Sequence, residues 1–315
     1  MFELVNEPNV VKIKVVGVGG GGTNAVERMT ETRTPMVEYI TINTDDASVR
    51  GSSADTSLQI GINTTNGRGA GANPEIGYQS AVENTGAIKN AVKNCDMVFI
   101  VAGMGGGTGT GAAPVVAELA RELGILTVAV VTKPFYFEGR RRMQVAESGI
   151  LKLSEAVDAM IVIPNDNLKH VASQKITFEN ALKTADGVLM QTVKNLVEVI
   201  QRSAVVNCDF ADISSVLRNS GLIHTAIGQA SGEHKADEII EQITASKLLG
   251  TNIDDADGVL FCITAYSDVS LEDVDKISSA ISGKSTHEAN IIFGMDFDDD
   301  MDDEIRAVLI ATHHV

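Results

Sequence analysis

Three glycine-rich segments and one pair of aspartates hold most of the chemistry this sequence can perform. Gly103-Met104-Gly105-Gly106-Gly107-Thr108-Gly109-Thr110-Gly111 has Gly at six of nine positions and Thr at two. It stands between an apolar run and a helical stretch. Glycine lets backbone N–H groups approach phosphate oxygens. A helix N-terminus adds unpaired N–H groups and a favourable dipole. The two Thr hydroxyls supply further donors, or could help hold a hydrated cation. Gly17-Val18-Gly19-Gly20-Gly21-Gly22 satisfies G-x-G-x-x-G, with Asp45-Asp46 about 20 residues further on. That is the dinucleotide fingerprint, but other phosphate loops and plain glycine turns meet the same pattern. Gly67-Arg68-Gly69-Ala70-Gly71-Ala72-Asn73-Pro74 is a third such loop. Three anion-ready loops point to a polyphosphate. None ends in Gly-Lys-Ser/Thr, which excludes a P-loop NTPase. Without that lysine, Mg²⁺ carried by the nucleotide and water must offset more phosphate charge, with no direct protein ligand.

Asp209 and Asp212 stand three apart before an amphipathic stretch. One reading is a helix cap with a second acid in the first turn. The other is a carboxylate pair that orients water for attack on a terminal phosphate.

The elements that must position these groups follow from the apolar pattern. Residues 12–18, 38–43, 96–102, 126–132 and 159–164 read as strands, and the near-continuous apolar runs suit a parallel sheet covered on both faces. Helical stretches fall between them, at Asn24–Met29 with Thr23 or Asn24 near the cap, Val115–Leu123 and Gln144–Leu153. Strands alternating with helices give an α/β domain with right-handed crossovers. From Phe178 to Ile200, apolar residues recur at spacings of 1, 3 and 4, the mark of one long helix of roughly 35 Å. It reads as a strut to a smaller α+β domain, with strands at Gly258–Ala265, Ala289–Gly294 and Arg306–Thr312 and a helix at Leu271–Ile281. Asp296–Glu304 holds seven acids in nine positions and reads as a solvated loop.

The 315 residues carry 25 Lys+Arg against 42 Asp+Glu, a formal net charge of −17. An acidic surface repels a nucleic-acid backbone. Residues 201–315 hold 7 basic and 21 acidic side chains, so the first 200 residues are nearly neutral and can accept an anion. Aromatics make up 4% with no Trp, which disfavours single-strand stacking platforms. The three cysteines, Cys95, Cys208 and Cys262, are isolated and fit a reducing compartment. No leader is legible at Met1–Val10, and no apolar run is long enough to span a membrane. Arg140–Arg142 reads mostly as a solvated charge run, His313-His314 as inert, and Cys208 as no nucleophile, having no His near in sequence.

Gly103–Gly111 resembles the signature loop of the tubulin/FtsZ family. The likeness extends through Gly67–Pro74, Lys133–Arg142 (KPFYFEGRRR), Ile163–Asp166 (IPND), Asn207–Asp212 (NCDFAD) and Ala289–Gly294, over nearly the whole chain. It implies a tubulin-like fold: a Rossmann-like GTPase domain over 1–177, a central linking helix over 178–202, and a smaller α+β domain over 203–315 with the catalytic loop at its start. It implies that Gly20, Gly21, Gly22, Thr23 and Asn24 touch GTP or GDP. Gly103, Gly105, Gly106, Gly107, Thr108, Gly109 and Thr110 would cradle its phosphates. Glu138 and Arg142 would meet the ribose and phosphate region. Asn165, Leu182 and Asp186 would face the guanine, and Gly69, Ala70, Gly71 and Ala72 would sense the terminal phosphate. Two positions depart from the family pattern. Leu182 stands where a Phe usually stacks near the base, and Asp186-Gly187 stands where the family has Asn/Asp-Asp. A carboxylate remains to accept from the guanine N1–H and N2–H₂ edge.

The resemblance also answers where the aspartates act. The long helix could put them at the far end from the phosphate loops. Head-to-tail stacking would carry Asp209 and Asp212 of one subunit to the nucleotide of the next, a heterologous contact that makes a filament. The implied protein is a polymerising GTPase of the bacterial division ring, cytoplasmic and placed at mid-cell. Its partners would be copies of itself, with division proteins and membrane tethers reached through a tail that family members carry beyond the last strand. Two other readings stay open on residues alone: an NAD-dependent oxidoreductase using Gly17–Gly22 and Asp45, and a nucleotide-binding relative that does not hydrolyse.

Overall fold

The computed structural model describes residues 11–171, 177–201, 209–246, 248–249, 251–286 and 288–313. Met1–Val10, Asn207, Cys208 and His314 lie outside the described residues.

The apolar runs become strands because each is buried on both sides. In β1 (Ile13–Val18), Ile13 and Val15 join one core while Val16 and Val18 join the other. The pattern follows from the two-residue period of a strand. The chain continues through α1 (Gly19–Glu31), β2 (Val37–Asn43), α2 (Asp46–Arg50), β3 (Thr56–Gln59), α3 (Ile62–Thr65), α4 (Pro74–Glu83) and α5 (Thr85–Val92). Next come β4 (Met97–Gly103), α6 (Thr108–Glu122), β5 (Leu126–Lys133), a 3₁₀ turn at Tyr136–Glu138, α7 (Arg140–Ala156), β6 (Ala159–Pro164) and α8 (Leu168–Val171). The six strands are parallel, in the order β3-β2-β1-β4-β5-β6.

The glycine runs open helices rather than interrupt strands. α1 starts at Gly19, not Asn24, with Val18 at its N-cap and no side-chain cap. Gly22 lets α1 lie directly on the sheet, since a Cβ there would sit 2.2 Å from the Val101 carbonyl oxygen. α6 starts at Thr108 and α7 at Arg140, each earlier than the apolar periodicity indicates. Glycine and arginine carry no apolar signal, so the first turns are silent in that pattern.

The long helix, α9 (Ala181–Gln201), spans about 30 Å. Its buried face runs through Ala185, Leu189, Val193, Leu196 and Ile200. Beyond it come α10 (Phe210–Leu217), β7 (Gly221–Ser231), α11 (Lys235–Thr244), β8 (Gly258–Ala265), α12 (Leu271–Ser282), β9 (Asn290–Phe297) and β10 (Glu304–Thr312). β10 runs antiparallel between β7 and β8, and β9 lies parallel to β8 at the edge. β7 pairs with β6 through two residues, Ala159 with Gly221 and Met160 with Leu222. That junction joins all ten strands into one sheet. The acidic run is not all loop. Asp296 and Phe297 pair with Thr264 and Ala265, and Glu304 opens β10, so the turn lies between them. No helix among the described residues is long and apolar enough to cross a membrane.

Candidate functional site

Ligands of open α/β sheets bind outside the carboxyl ends of the strands. Here that edge carries a cleft of about 250 Å³. Gly20 and Gly21 line it from the start of α1, and Gly106, Gly107, Thr108 and Gly109 from the start of α6. These helices approach closely because both loops lack side chains. A Cβ on Gly19 would lie 2.6 Å from the Gly109 nitrogen. Neither helix start has a side-chain cap or an acid in its first turn. Elsewhere Asp45, Asn73, Asp209 and Ser270 cap their helices. The two helices that open on the cleft thus leave their N–H groups to whatever enters it.

The glycines divide by what surrounds them. Gly20 and Gly106 face open space. Gly22, Gly109 and Gly111 are held against backbone; a Cβ on Gly111 would meet the Pro74 carbonyl oxygen at 2.0 Å. Much of the glycine signal therefore serves packing.

Among the described residues Arg142 is the cationic side chain in the lining, and Glu138 orients it through an ion pair of 2.8 Å. Glu138 also accepts from the Phe135 N–H at 2.8 Å, which ties the 3₁₀ turn to the cleft. Ala70 and Ala72 reach the same end from the third glycine loop. Thr108 contributes a hydroxyl bonded to that of Thr44 at 2.6 Å.

At the other end stand Asn165, Leu182 and Asp186. Asn165 is 5% exposed, and its Oδ1 has no hydrogen-bond partner. A buried acceptor left unpaired is costly, and a ligand donor would relieve it. Burial pushes the Asp186 carboxyl above its ordinary value, opposed by the charge of Arg28 and a hydrogen bond from the Asn24 side chain. The cleft is thus polarised: anion-seeking backbone and Arg142 at one end, hydrogen-bond acceptors at the other.

Some expected residues shape the cleft without lining it. Thr23 is buried and accepts from Asn43. Thr110 accepts from the Gly105 N–H at 2.9 Å, which holds the signature loop closed where Gly105 has φ +96°. Gly22, Asn24, Gly69 and Gly71 are likewise outside the lining. Met104, Thr132, Pro134 and Ala185 line it and were not foreseen. Thr132 and Pro134 follow from the carboxyl-edge rule, since β5 ends there. Asp45 accepts from the Ser48 N–H at 2.8 Å as the cap of α2, and is absent from the cleft.

Asp209 and Asp212 are elsewhere. They form a reciprocal capping box: Asp209 accepts from the Asp212 N–H at 2.8 Å, and Asp212 from the Asp209 N–H at 3.3 Å. α10 leads to Gly221 beside Ala159, the first residue of β6, at the edge opposite the cleft. Within one subunit the pair is a helix cap. Among the described residues, no three His, Cys, Asp or Glu side chains cluster as metal ligands.

Sheet, cleft and strut together define an α/β protein built to hold a nucleotide outside the strand ends. The chain belongs to the tubulin/FtsZ family. Residues 12–173 match the model of the Tubulin/FtsZ family GTPase domain, and residues 221–314 that of the FtsZ family C-terminal domain. The chain is 48% identical to the cell division protein FtsZ of Buchnera aphidicola subsp. Acyrthosiphon pisum, over 99% of this chain and 82% of that protein. The FtsZ dimer of M. jannaschii superposes with a TM-score of 0.88 at 40% identity, over 96% of this chain and 88% of that one. CetZ2 from Haloferax volcanii, described as a GTPγS-bound protofilament, shares the fold at 20% identity and a TM-score of 0.78, over 96% and 92% of the two chains. The family match removes the NAD-dependent oxidoreductase reading.

Proposed function

We propose that the chain binds GTP and GDP in this cleft, hydrolyses GTP, and assembles head to tail into filaments that build the bacterial division ring. The polarised cleft carries the reading. Two uncapped helix starts and Arg142 suit a polyphosphate, while the Asn165 acceptor and the Asp186 carboxylate suit the donor edge of guanine. Adenine has no N1–H or N2–H₂ to give them. With one cationic side chain in the lining among the described residues, the site fits a nucleotide that brings its own cation. Mg²⁺, held by phosphate oxygens and water, would neutralise charge at the terminal phosphates. In this reading Ala70 and Ala72 lie where the terminal phosphate ends.

The remaining groups come from a second subunit. The Asp209–Asp212 edge of one copy meets the cleft of the next, and its carboxylates orient a water. The water oxygen attacks the terminal phosphorus, the bond to the bridging oxygen breaks, and GDP leaves with that oxygen's electron pair. Residues 1–177 would bind nucleotide, 178–202 would link, and 203–315 would supply the acids. Division proteins and membrane tethers would be further partners, in the cytoplasm at mid-cell.

Phosphate release and sedimentation with Mg²⁺ and either GTP or GDP test this. GTP, not GDP, should pellet the chain, and turnover per subunit should fall on dilution. Asp212→Ala should bind GTP, lose turnover, and poison hydrolysis when mixed with the unaltered chain. Turnover that is flat with dilution would refute the shared site.

A further inference from the structure

Thr108 brings a hydroxyl to the cleft, and the direction of its proton is set from behind. The residue opens α6, whose start has no side-chain cap, and it lines the cleft. Its Oγ1 lies 2.6 Å from the Thr44 Oγ1, a distance that leaves either atom free to donate. A hydroxyl gives one proton and accepts on two lone pairs. Burial decides between the two arrangements. Thr44 is fully buried and stands outside the lining, whereas Thr108 is 8% exposed and stands in it. Among the described residues, Thr108 is the one hydrogen-bond partner of the Thr44 hydroxyl. Were Thr44 to accept, its own proton would be shut in the interior without an acceptor, which is costly. Thr44 therefore donates, and Thr108 accepts and keeps its proton for the cleft.

Thr44 is itself fixed on both sides. It follows the last residue of β2, and its N–H donates to the Asn43 Oδ1 at 2.9 Å. The Asn43 Nδ2 donates in turn to the Thr23 Oγ1 in α1 at 3.4 Å. The Thr44 carbonyl accepts from the Gly69 N–H at 3.3 Å. Thr23, Asn43 and Thr44 are all buried. One buried polar chain thus joins the start of α1, the third glycine loop and the start of α6, with Thr44 at the junction. A β-branched side chain has few rotamers, so a fixed backbone also fixes where its hydroxyl points.

Resting on the nucleotide reading above, we propose that Thr44 is a positioning residue for the phosphates. By donating to Thr108 from the interior, it aims the Thr108 proton at a phosphate oxygen in the cleft. Thr44 touches no ligand; it acts through Thr108. Without the Thr44 hydroxyl, the Thr108 donor is still present but is free to turn away.

Competition against a fluorescent GDP analogue, on the full chain, reads the affinities of GDP, inorganic pyrophosphate and guanosine. Thr44→Val keeps the side-chain shape and removes the hydroxyl. It should weaken GDP and pyrophosphate alike, each about fivefold, the scale of one hydrogen bond, and leave guanosine unchanged. Thr44→Ser, which keeps the hydroxyl, should bind all three as the unaltered chain does. Thr108→Val should show a loss at least as large, and adding Thr44→Val to it should cost nothing further, since no Thr108 proton is left to aim. Thr44→Ala carries the same expectations where Thr44→Val does not fold. Unchanged pyrophosphate affinity on loss of the Thr44 hydroxyl, with the unaltered chain binding GDP, overturns the positioning role and leaves the nucleotide reading standing. Losses that multiply in the double variant also overturn it, because Thr44 would then act other than through Thr108. So does a loss of guanosine as large as that of pyrophosphate. If the unaltered chain binds neither GDP nor pyrophosphate, both readings fail.

Discussion

Asp186 shows how one side chain couples burial and charge. Its carboxyl is pushed up by burial more than Arg28 and Asn24 pull it down. An acid whose folded value exceeds its unfolded one opposes folding when ionised. That contribution is fully favourable below the unfolded value of 3.8 and is lost as pH rises through the folded value. In the proposed reading the ionised form is also the one that would accept from guanine. Asp186→Asn should therefore make the nucleotide-free chain more stable to urea at neutral pH, yet weaken GDP by about tenfold, the scale of a hydrogen bond to a charged group. GDP affinity of the unaltered chain should decline on acidification at a pH above the ordinary carboxylate range, and the Asn variant should show no such decline. Calorimetry across that range reads both; a parallel decline in the two proteins would remove Asp186 from base recognition. Asn165 is the companion case. Its identity and its IPND context were legible in the sequence, but its unpaired oxygen was not, because burial depends on which elements close over it.

The elements were legible where the signal is apolar and silent where it is glycine. Strands β1, β4, β5 and β6 are written in mostly apolar runs, and their ends fall within a residue or two of the sequence reading. The first turns of α1 and α6 are written in glycine, which periodicity treats as a gap. The junction of β7 with β6 rests on two residue pairs brought together from distant parts of the chain, a contact that local pattern does not encode. The glycine signal itself mixes two roles, and they can be separated. A Cβ at Gly111 would press α6 into the α4 backbone, whereas one at Gly106 meets open space. Gly111→Ala should destabilise the chain by about 1–3 kcal/mol through overpacking, read as a lower urea midpoint. Gly106→Ala should leave that midpoint unchanged and, in the proposed reading, weaken GDP, because Gly106 lines the cleft. Equal midpoints for the two variants would show that α4 yields to α6 and that Gly111 is not a packing requirement.

At the scale of the whole molecule, the charge distribution sets how copies approach one another. The first 200 residues are nearly neutral, and the remainder holds 21 acids against 7 bases. Several of those bases are already committed. Lys235 pairs with Asp303, Lys276 with Asp237, Lys284 with Asp254, and Arg306 with Glu198. The acidic surplus is concentrated on α11, α12 and the β9–β10 turn, on the part of the chain that carries Asp209 and Asp212. In the proposed head-to-tail assembly that part would face the cleft of the next subunit, where a bound polyphosphate would add more negative charge. Like charge on like charge slows encounter, and the repulsion reaches about 30 Å at 0.01 M salt but about 10 Å at 0.1 M. Assembly in GTP at fixed Mg²⁺ should therefore accelerate as monovalent salt rises over that range. Added divalent cation should have a larger effect than monovalent salt of equal ionic strength, since it can also bridge carboxylate and phosphate. Light scattering gives the rate, and sedimentation the extent. Assembly that is fastest at the lowest ionic strength would mean attraction dominates the contact, with Arg142 and the uncapped helix starts drawing the acids of the neighbouring subunit into the cleft.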